Sequence, residues 1–284
     1  MEAIYECMES ILPFSFMHYD FMKNALLAVL LLTPIFGMIG TMVVDHKLAF
    51  FSDALGHSAL TGIAIGVLLG ISEPVVAMTL FAIVFAILLN SIRRSRVSSS
   101  DTVISVFSST AVALGLVLLS SGGGFSKYSS YLIGDILTIR PAEIAILAVV
   151  LVLTLIFWIF CFNKLLQISV NSTLAASRGV PVKTMELIFI LVIAVIVTIS
   201  IRWVGILIIN SLLILPAAAS RNVARNMRQY HLLSVLFSMA AGVIGLVVSY
   251  YYGAVSYTHL DVYKRQAFFS SAPETTAAFL STHI

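Results

Sequence analysis

The chain has 284 residues, of which 60% are hydrophobic and only 10% are charged, and its formal net charge is +3. Its mean hydropathy of +1.06 lies beyond what a soluble globular domain reaches, so that class is excluded. We therefore predict an all-α, polytopic helical bundle in a lipid bilayer. Its basic residues are spread over several connections, a distribution that does not indicate a nucleic-acid partner.

Eight apolar windows are long enough to be membrane spans. In chain order they cover 24–44, 55–71, 75–92, 102–120, 142–162, 186–201, 204–219 and 232–252. The sixth and seventh windows nearly abut, which fits either a tight extracytoplasmic turn at Arg202 and Trp203 or one long bent helix. Hydrophobicity falls after Val255, so residues 1–255 are predicted to form the transmembrane domain.

The lysines and arginines in the connections predict the orientation of the chain. Ten lie in the first connection, at Lys47, and in the connections 91–101, 163–185 and 221–231, whereas the opposite side has four. These four connections alternate with the others, so all of them can face the cytoplasm together. The N-terminus is then predicted to be extracytoplasmic.

Two ionisable residues lie at the start of the second window, one just before it and one just inside it, in the stretch AFFSDALGHSALTGIAIGVLLG. In a helix, Asp53 and His57 lie four residues apart and share one face, where both side chains can contact a divalent cation. Small residues along the same stretch allow neighbouring helices to approach closely. Two alternatives remain open: an interfacial acid and histidine that bind no ligand, and a helix capped by Ser52 with Asp53 in its first turn.

The connection NSTLAASRGVPVK contains a short piece with helix-forming residues, 172–177, that is followed by Gly179 and Pro181. It lies on the predicted cytoplasmic side between two spans. A short helix there is able to dock into a partner protein, and a plain solvated connection is the alternative.

The connection 120–141 contains the apolar segment YLIGDIL with a single acid, Asp135, on the predicted outer side. A re-entrant or interfacial segment near a pore mouth fits this pattern, as does a flexible surface loop. The glycines of this connection lack the order of a phosphate-binding loop, and the chain has no nucleotide-binding motif of its own.

Two other classes of membrane protein fit these features less well. A secondary transporter or channel for divalent cations should carry coupling acids deep in several spans, and these spans are nearly devoid of them. An intramembrane metalloenzyme needs a ligand cluster such as H-E-x-x-H, which the six histidines do not form. We therefore expect a transport protein that is not itself an enzyme.

Four motifs, in this order along the chain, resemble one known family: LAFFSDALGHSALTGIAIG, YLIGDIL, NSTLAASRGVPVK and WVGILIINSLLILPAAASR. They are similar to motifs of the membrane permeases of bacterial zinc and manganese ABC importers, and the resemblance covers roughly residues 25–252. It implies a multi-pass protein of the bacterial inner membrane that carries Zn²⁺ or Mn²⁺ as substrate and holds no permanent cofactor.

The resemblance also implies the partners and the site residues. Two permease copies would join two ATPase chains, and an extracytoplasmic metal-binding protein would deliver the metal. Asp53 and His57 match the acid and the histidine on the family's metal route. The loop that contacts the ATPase is matched by Leu174, Ala175, Arg178 and Gly179.

The chain departs from the family pattern in two places. Ser109 stands in the fourth span where some zinc permeases carry a histidine, whereas Asp135 in GDIL is more similar to the zinc branch, so zinc is expected first and manganese next. Family members usually continue into one more hydrophobic segment, but here SYTHLDVYKRQ follows Val255. Residues 256–284 are therefore predicted to be a polar, non-native or disordered tail in place of a last span.

Overall fold

The computed structural model describes residues 19–94, 100–121, 128 and 130–251. Within those ranges the ordered elements are all helical, which confirms the predicted fold class. The long helices are α1 (Asp20–Asp45), α2 (Ala49–Leu68), α3 (Pro74–Arg94), α4 (Ser100–Ser121), α6 (Pro141–Val170), α8 (Val182–Val204), α9 (Ile206–Val223) and α10 (Met227–Tyr251). The short elements are α5 (Ser130–Ile133), a 3-10 turn (Ile136–Thr138) and α7 (Ser172–Ser177).

The eight long helices are apolar and long enough to cross a membrane, which confirms the predicted eight spans of a multi-pass membrane protein. The orientation of the N-terminus stays a prediction. The predicted tail, residues 256–284, lies outside the described residues.

The largest departures from the boundaries that hydropathy predicted are at the start of α2 and at the end of α6. Helix α2 begins at Ala49 and not at residue 55, because the connection before it is a turn of only three residues with Lys47 at φ 55°. The polar residues at its start lower the local hydropathy although the backbone is already helical. Helix α6 has 30 residues, or roughly 45 Å at 1.5 Å per residue, so its end runs past the hydrocarbon core.

Helix α2 is the centre of the bundle and lies against α3, α4, α8 and α9. Its glycines allow the close approach that the sequence predicted. A Cβ on Gly62 would lie 2.9 Å from the Cα of Met78 in α3, and one on Gly66 would overlap the Cβ of Ala77 in the same helix α3. The ionisable pair of α2 is therefore held in a closely packed scaffold.

The sixth and seventh spans are two helices separated by a single residue, Gly205, with φ +83°. The alternative of one long bent helix is wrong, because this backbone conformation interrupts the helix. Next to the break, Glu143 of α6 accepts two bonds: its Oε1 lies 2.9 Å from a guanidinium nitrogen of Arg202, and its Oε2 lies 3.3 Å from Trp203 Nε1. The end of α8 is thereby tied to the start of α6.

Candidate metal site

Asp53 and His57 lie one helical turn apart on α2, and His57 Nε2 is 3.5 Å from Asp53 Oδ1. The predicted shared face is confirmed. Their side chains are 47% and 36% exposed, respectively, although the residues around them, among them Ser52 and Ala54, are buried. The two side chains of the pair are therefore accessible from outside the chain, although they belong to the central helix of the bundle.

Asn210 of α9 contacts the pair across the helix interface. Its Nδ2 donates a hydrogen bond to Asp53 Oδ1. The hydroxyl of Ser52 lies 3.3 Å from Asn210 Oδ1 and 2.8 Å from the carbonyl oxygen of Ala49. Asp53 is thus held from two helices, by His57 on α2 and by Asn210 on α9.

Sequence analysis did not select Asn210 as a site residue. The available signal was its amide side chain in the otherwise apolar run WVGILIINSLLILP, since polar groups inside a span usually have a partner there. The predicted cap at Ser52 is wrong, because α2 starts earlier with Leu48 at its N-cap position. The Ser52 hydroxyl instead donates back within the first turn of the helix.

The chemistry of the pair fits a divalent ion in transit. A carboxylate supplies negative charge, and a neutral imidazole supplies a borderline nitrogen ligand that suits zinc. Across the described ranges, no group of three or more His, Cys, Asp or Glu side chains is placed to hold a metal. The two residues are too few for a closed tetrahedral site, so water or a second molecule must complete the coordination.

The other two histidines within the described ranges are packed away from this pair. His46 Nε2 lies 3.1 Å from the carbonyl oxygen of Leu165, and its ring contacts Phe189. Burial lowers the pKa of His46 below its ordinary value of 6.5, and the positive charge of Arg93 lowers it further, while the bond to Leu165 opposes both. His231 lies on α10, where its Nδ1 is 2.7 Å from the Thr41 hydroxyl. Both histidines contribute to packing between helices.

The predicted short helix between two spans is α7, with the expected bounds. Asn171 caps its start by accepting a bond from the backbone N–H of Leu174 at 3.0 Å. At its end, the N–H of Val180 bonds to the carbonyl of Ala175, and Gly179 has φ +80°, the glycine-ended motif that closes many helices. The predicted end of this helix before Gly179 is confirmed.

The residues of α7 divide into one buried anchor and an exposed surface. Ala175 is 1% exposed, whereas Leu174 is 50% exposed and Arg178 is also exposed. An exposed leucine beside an arginine on a capped, preformed helix is a surface that can enter a groove with an acidic rim. Of the four predicted contact residues, Leu174 and Ala175 lie in α7 and Arg178 and Gly179 in the turn directly after it, and three of the four are exposed.

Asp135 lies in a different part of the chain, between α5 and the 3-10 turn. Its side chain is exposed, and its backbone N–H donates to the carbonyl oxygen of Arg202 at 3.2 Å. Among the described residues, the polar contacts of Asp135 involve Arg202 and Thr138, whereas those of Asp53 involve His57 and Asn210. The structure does not bring Asp135 into the metal pair.

Comparison with known proteins gives a consistent result. The model of the ABC 3 transport family matches residues 18–271. The chain is 30% identical over 235 residues to the high-affinity zinc uptake system membrane protein ZnuB of Haemophilus influenzae, covering 82% of this chain and 90% of that protein. It is 27% identical over 232 residues to the manganese import system permease protein ScaB of Streptococcus gordonii, covering 82% of this chain and 83% of that protein. In fold it is similar to PsaBC from Streptococcus pneumoniae in complex with Fab, with a TM-score of 0.74 and 24% identity over 89% of this chain and 88% of that chain.

Proposed function

Because the chain belongs to the ABC 3 transport family, we propose that it is the permease subunit of an ATP-driven importer of divalent metal ions, zinc first and manganese next. The observation that carries this proposal is the Asp53–His57 pair, with its two side chains accessible although the residues between them, 54–56, are buried. Polar pairs of this kind inside a membrane span commonly mark an ion pathway.

The proposed mechanism follows from the cost of moving a divalent ion through a region of low dielectric constant. An ion that loses its water must gain protein ligands, yet these ligands must release it again. Asp53 offers one charge and His57 one nitrogen, which is enough to hold an ion briefly and too little to trap it. The remaining positions would be filled by water or by the same pair of a second permease copy.

The energy must come from another chain, because this sequence has no nucleotide-binding motif. We place the ATPase partner at α7, where Leu174 and Arg178 are exposed and the turn at Gly179 is preformed. ATP-driven movement of the partner would reach the bundle through Ala175, the buried anchor. An extracytoplasmic metal-binding protein would deliver the ion on the opposite side, where Asp135 is proposed to lie at the pore mouth.

Zinc is proposed before manganese on the chemistry of the ligand pair. Imidazole is a good ligand for zinc and a less typical one for manganese, which prefers oxygen. The chain is similar both to a zinc uptake protein, from Haemophilus influenzae, and to a manganese import protein, from Streptococcus gordonii.

The test is uptake by proteoliposomes that contain the permease assembled with its cognate ATPase. We expect radioactive zinc to accumulate only when ATP is supplied on the ATPase side and metal-loaded binding protein on the other. A slowly hydrolysed ATP analogue should abolish uptake. Accumulation driven by a proton gradient without ATP would overturn the proposal and indicate a secondary transporter.

A further inference from the structure

We infer that Asn210 is a positioning residue that restricts Asp53 to one metal-binding oxygen and thereby favours zinc over manganese. This inference rests on the proposed function, since it concerns the same pair of ligands. It goes beyond that function because it assigns metal preference to a residue that does not itself need to touch the metal.

The hydrogen bond between Asn210 and Asp53 has only one possible direction. A carboxylate only accepts, so the atom of Asn210 that faces Asp53 must be the amide nitrogen. The amide oxygen then points to the hydroxyl oxygen of Ser52, 3.3 Å away, whose hydrogen is already donated to Ala49 at 2.8 Å. The orientation of the amide is therefore set by the Asp53 carboxylate, on the helix that also carries His57.

Only one of the two carboxylate oxygens of Asp53 remains free to bind the ion. Both Asn210 Nδ2 and His57 Nε2 approach the same oxygen, Oδ1 of Asp53. Hydrogen bonds to a charged acceptor are stronger than neutral ones, so Oδ1 is held firmly by Asn210 even when His57 turns to a metal. Oδ2 is then the oxygen offered to the ion, and Asp53 acts through a single atom.

A carboxylate that binds through a single oxygen suits zinc better than manganese. Zinc in proteins is satisfied by four ligands, commonly nitrogen or single carboxylate oxygens, whereas manganese suits sites rich in oxygen and of higher coordination number. A carboxylate that is free to turn can give two oxygens to manganese. Asn210 prevents that rotation, so the pair with Asn210 is a better match for zinc.

The test measures half-saturating concentrations for zinc and for manganese in the same proteoliposomes. The variant Asn210→Leu has a side chain of nearly the same size as asparagine but no hydrogen-bond donor. We expect the half-saturating concentration of zinc to rise by about 10-fold or more in this variant, the usual effect of removing a hydrogen-bond partner of a metal ligand. The value for manganese should change less, so the preference for zinc falls. Asn210→Asp keeps the shape and adds an oxygen, and it should shift the preference further toward manganese. Ser211→Ala, an exposed neighbour on the same helix, is the control and should leave both values unchanged.

Equal changes for the two metals, or no change in either variant, would overturn the inference, since a residue with only a packing role cannot alter the ratio. Asp53→Asn is measured in parallel to separate this result from a failure of the proposed function. If Asp53→Asn is inactive and the Asn210 variants keep the wild-type ratio, only the role of Asn210 is wrong. If Asp53→Asn transports normally, the metal pair itself is wrong and Asn210 has no role to play.

Discussion

Gly134 and Gly205 lie backbone against backbone, and both have positive φ angles, +80° and +83°. A Cβ on either glycine would overlap the backbone of the other segment. Gly205 directly precedes α9, the helix that carries Asn210. The contact therefore joins the segment that contains Asp135 to the helix that holds Asp53 in place.

Gly205→Ala should lower both stability and transport. With φ 83° and ψ 154°, Gly205 lies in a region of backbone conformation essentially restricted to glycine, where an alanine costs about 1–3 kcal/mol. The added Cβ also overlaps the backbone of Ile133, so the segment must move away. The thermal unfolding midpoint of the purified protein in detergent is the measurement. Gly245→Ala is the control, because no atom of the described residues lies within 4 Å of the added Cβ and alanine favours a helix. A Gly205→Ala protein as stable as the control would contradict this role.

Gly179→Val should uncouple transport from ATP hydrolysis while the protein still inserts into the membrane. Within the part of the chain that the structure describes, nothing lies within 4 Å of an added Cβ, so the effect arises from backbone strain at φ +80° and not from a collision. Gly179→Asn is the matched control, since asparagine tolerates this conformation far better than valine does. Unchanged metal-stimulated ATP hydrolysis in the reconstituted Gly179→Val complex would count against α7 as the coupling element.

The features that sequence predicted well are those set by neighbouring residues. Eight spans follow from continuous apolar windows, and the end of α7 follows from Gly179 and Pro181, which come directly after a short run of helix-forming residues. The shared face of Asp53 and His57 needs only the period of the helix.

The features that sequence missed depend on residues far apart in the chain. Asn210 meets Asp53 across 157 positions, and no local pattern specifies which polar residue of another span an acid will face. The contact of Gly134 with Gly205 is of the same kind. The early start of α2 was missed for a different reason. Hydropathy detects apolar residues, and the polar residues in the first turns of α2 lower it although their backbone is helical.

The stability of the protein should decrease as the pH falls below about 6.5, in part through His46. Burial, reinforced by the charge of Arg93, lowers the pKa of His46 in the folded state, so the unfolded chain binds a proton more readily. Stability from this residue is then complete above pH 6.5 and is lost as the pH falls from there toward the folded pKa. His46→Gln keeps a donor for Leu165 but does not titrate. Thermal unfolding in detergent between pH 7.5 and 5 should show a smaller loss in this variant, and an identical loss would refute the assignment.

Glu143→Ala should destabilise the protein more than Arg202→Ala does. Glu143 is largely buried and also accepts a bond from the backbone N–H of Arg140 at 3.0 Å, so its removal leaves several donors without an acceptor, at about 1–3 kcal/mol. Arg202 is 44% exposed, and loss of such an ion pair costs about 0–1 kcal/mol. Unfolding midpoints of the two variants give the comparison, and the reverse order would show that Arg202 is the more important partner.

The central claim is that Asp53 and His57 contact the transported metal, and radiometal uptake at limiting zinc or manganese tests it most directly. Asp53→Asn and His57→Ala remove the charge and the nitrogen ligand but keep the side chains small enough for the bundle. Each variant should abolish most uptake without lowering the amount of assembled complex, which is measured in the same membranes. Uptake near wild type in both variants would contradict the claim and leave the pair as an acid near a helix start and a packed histidine.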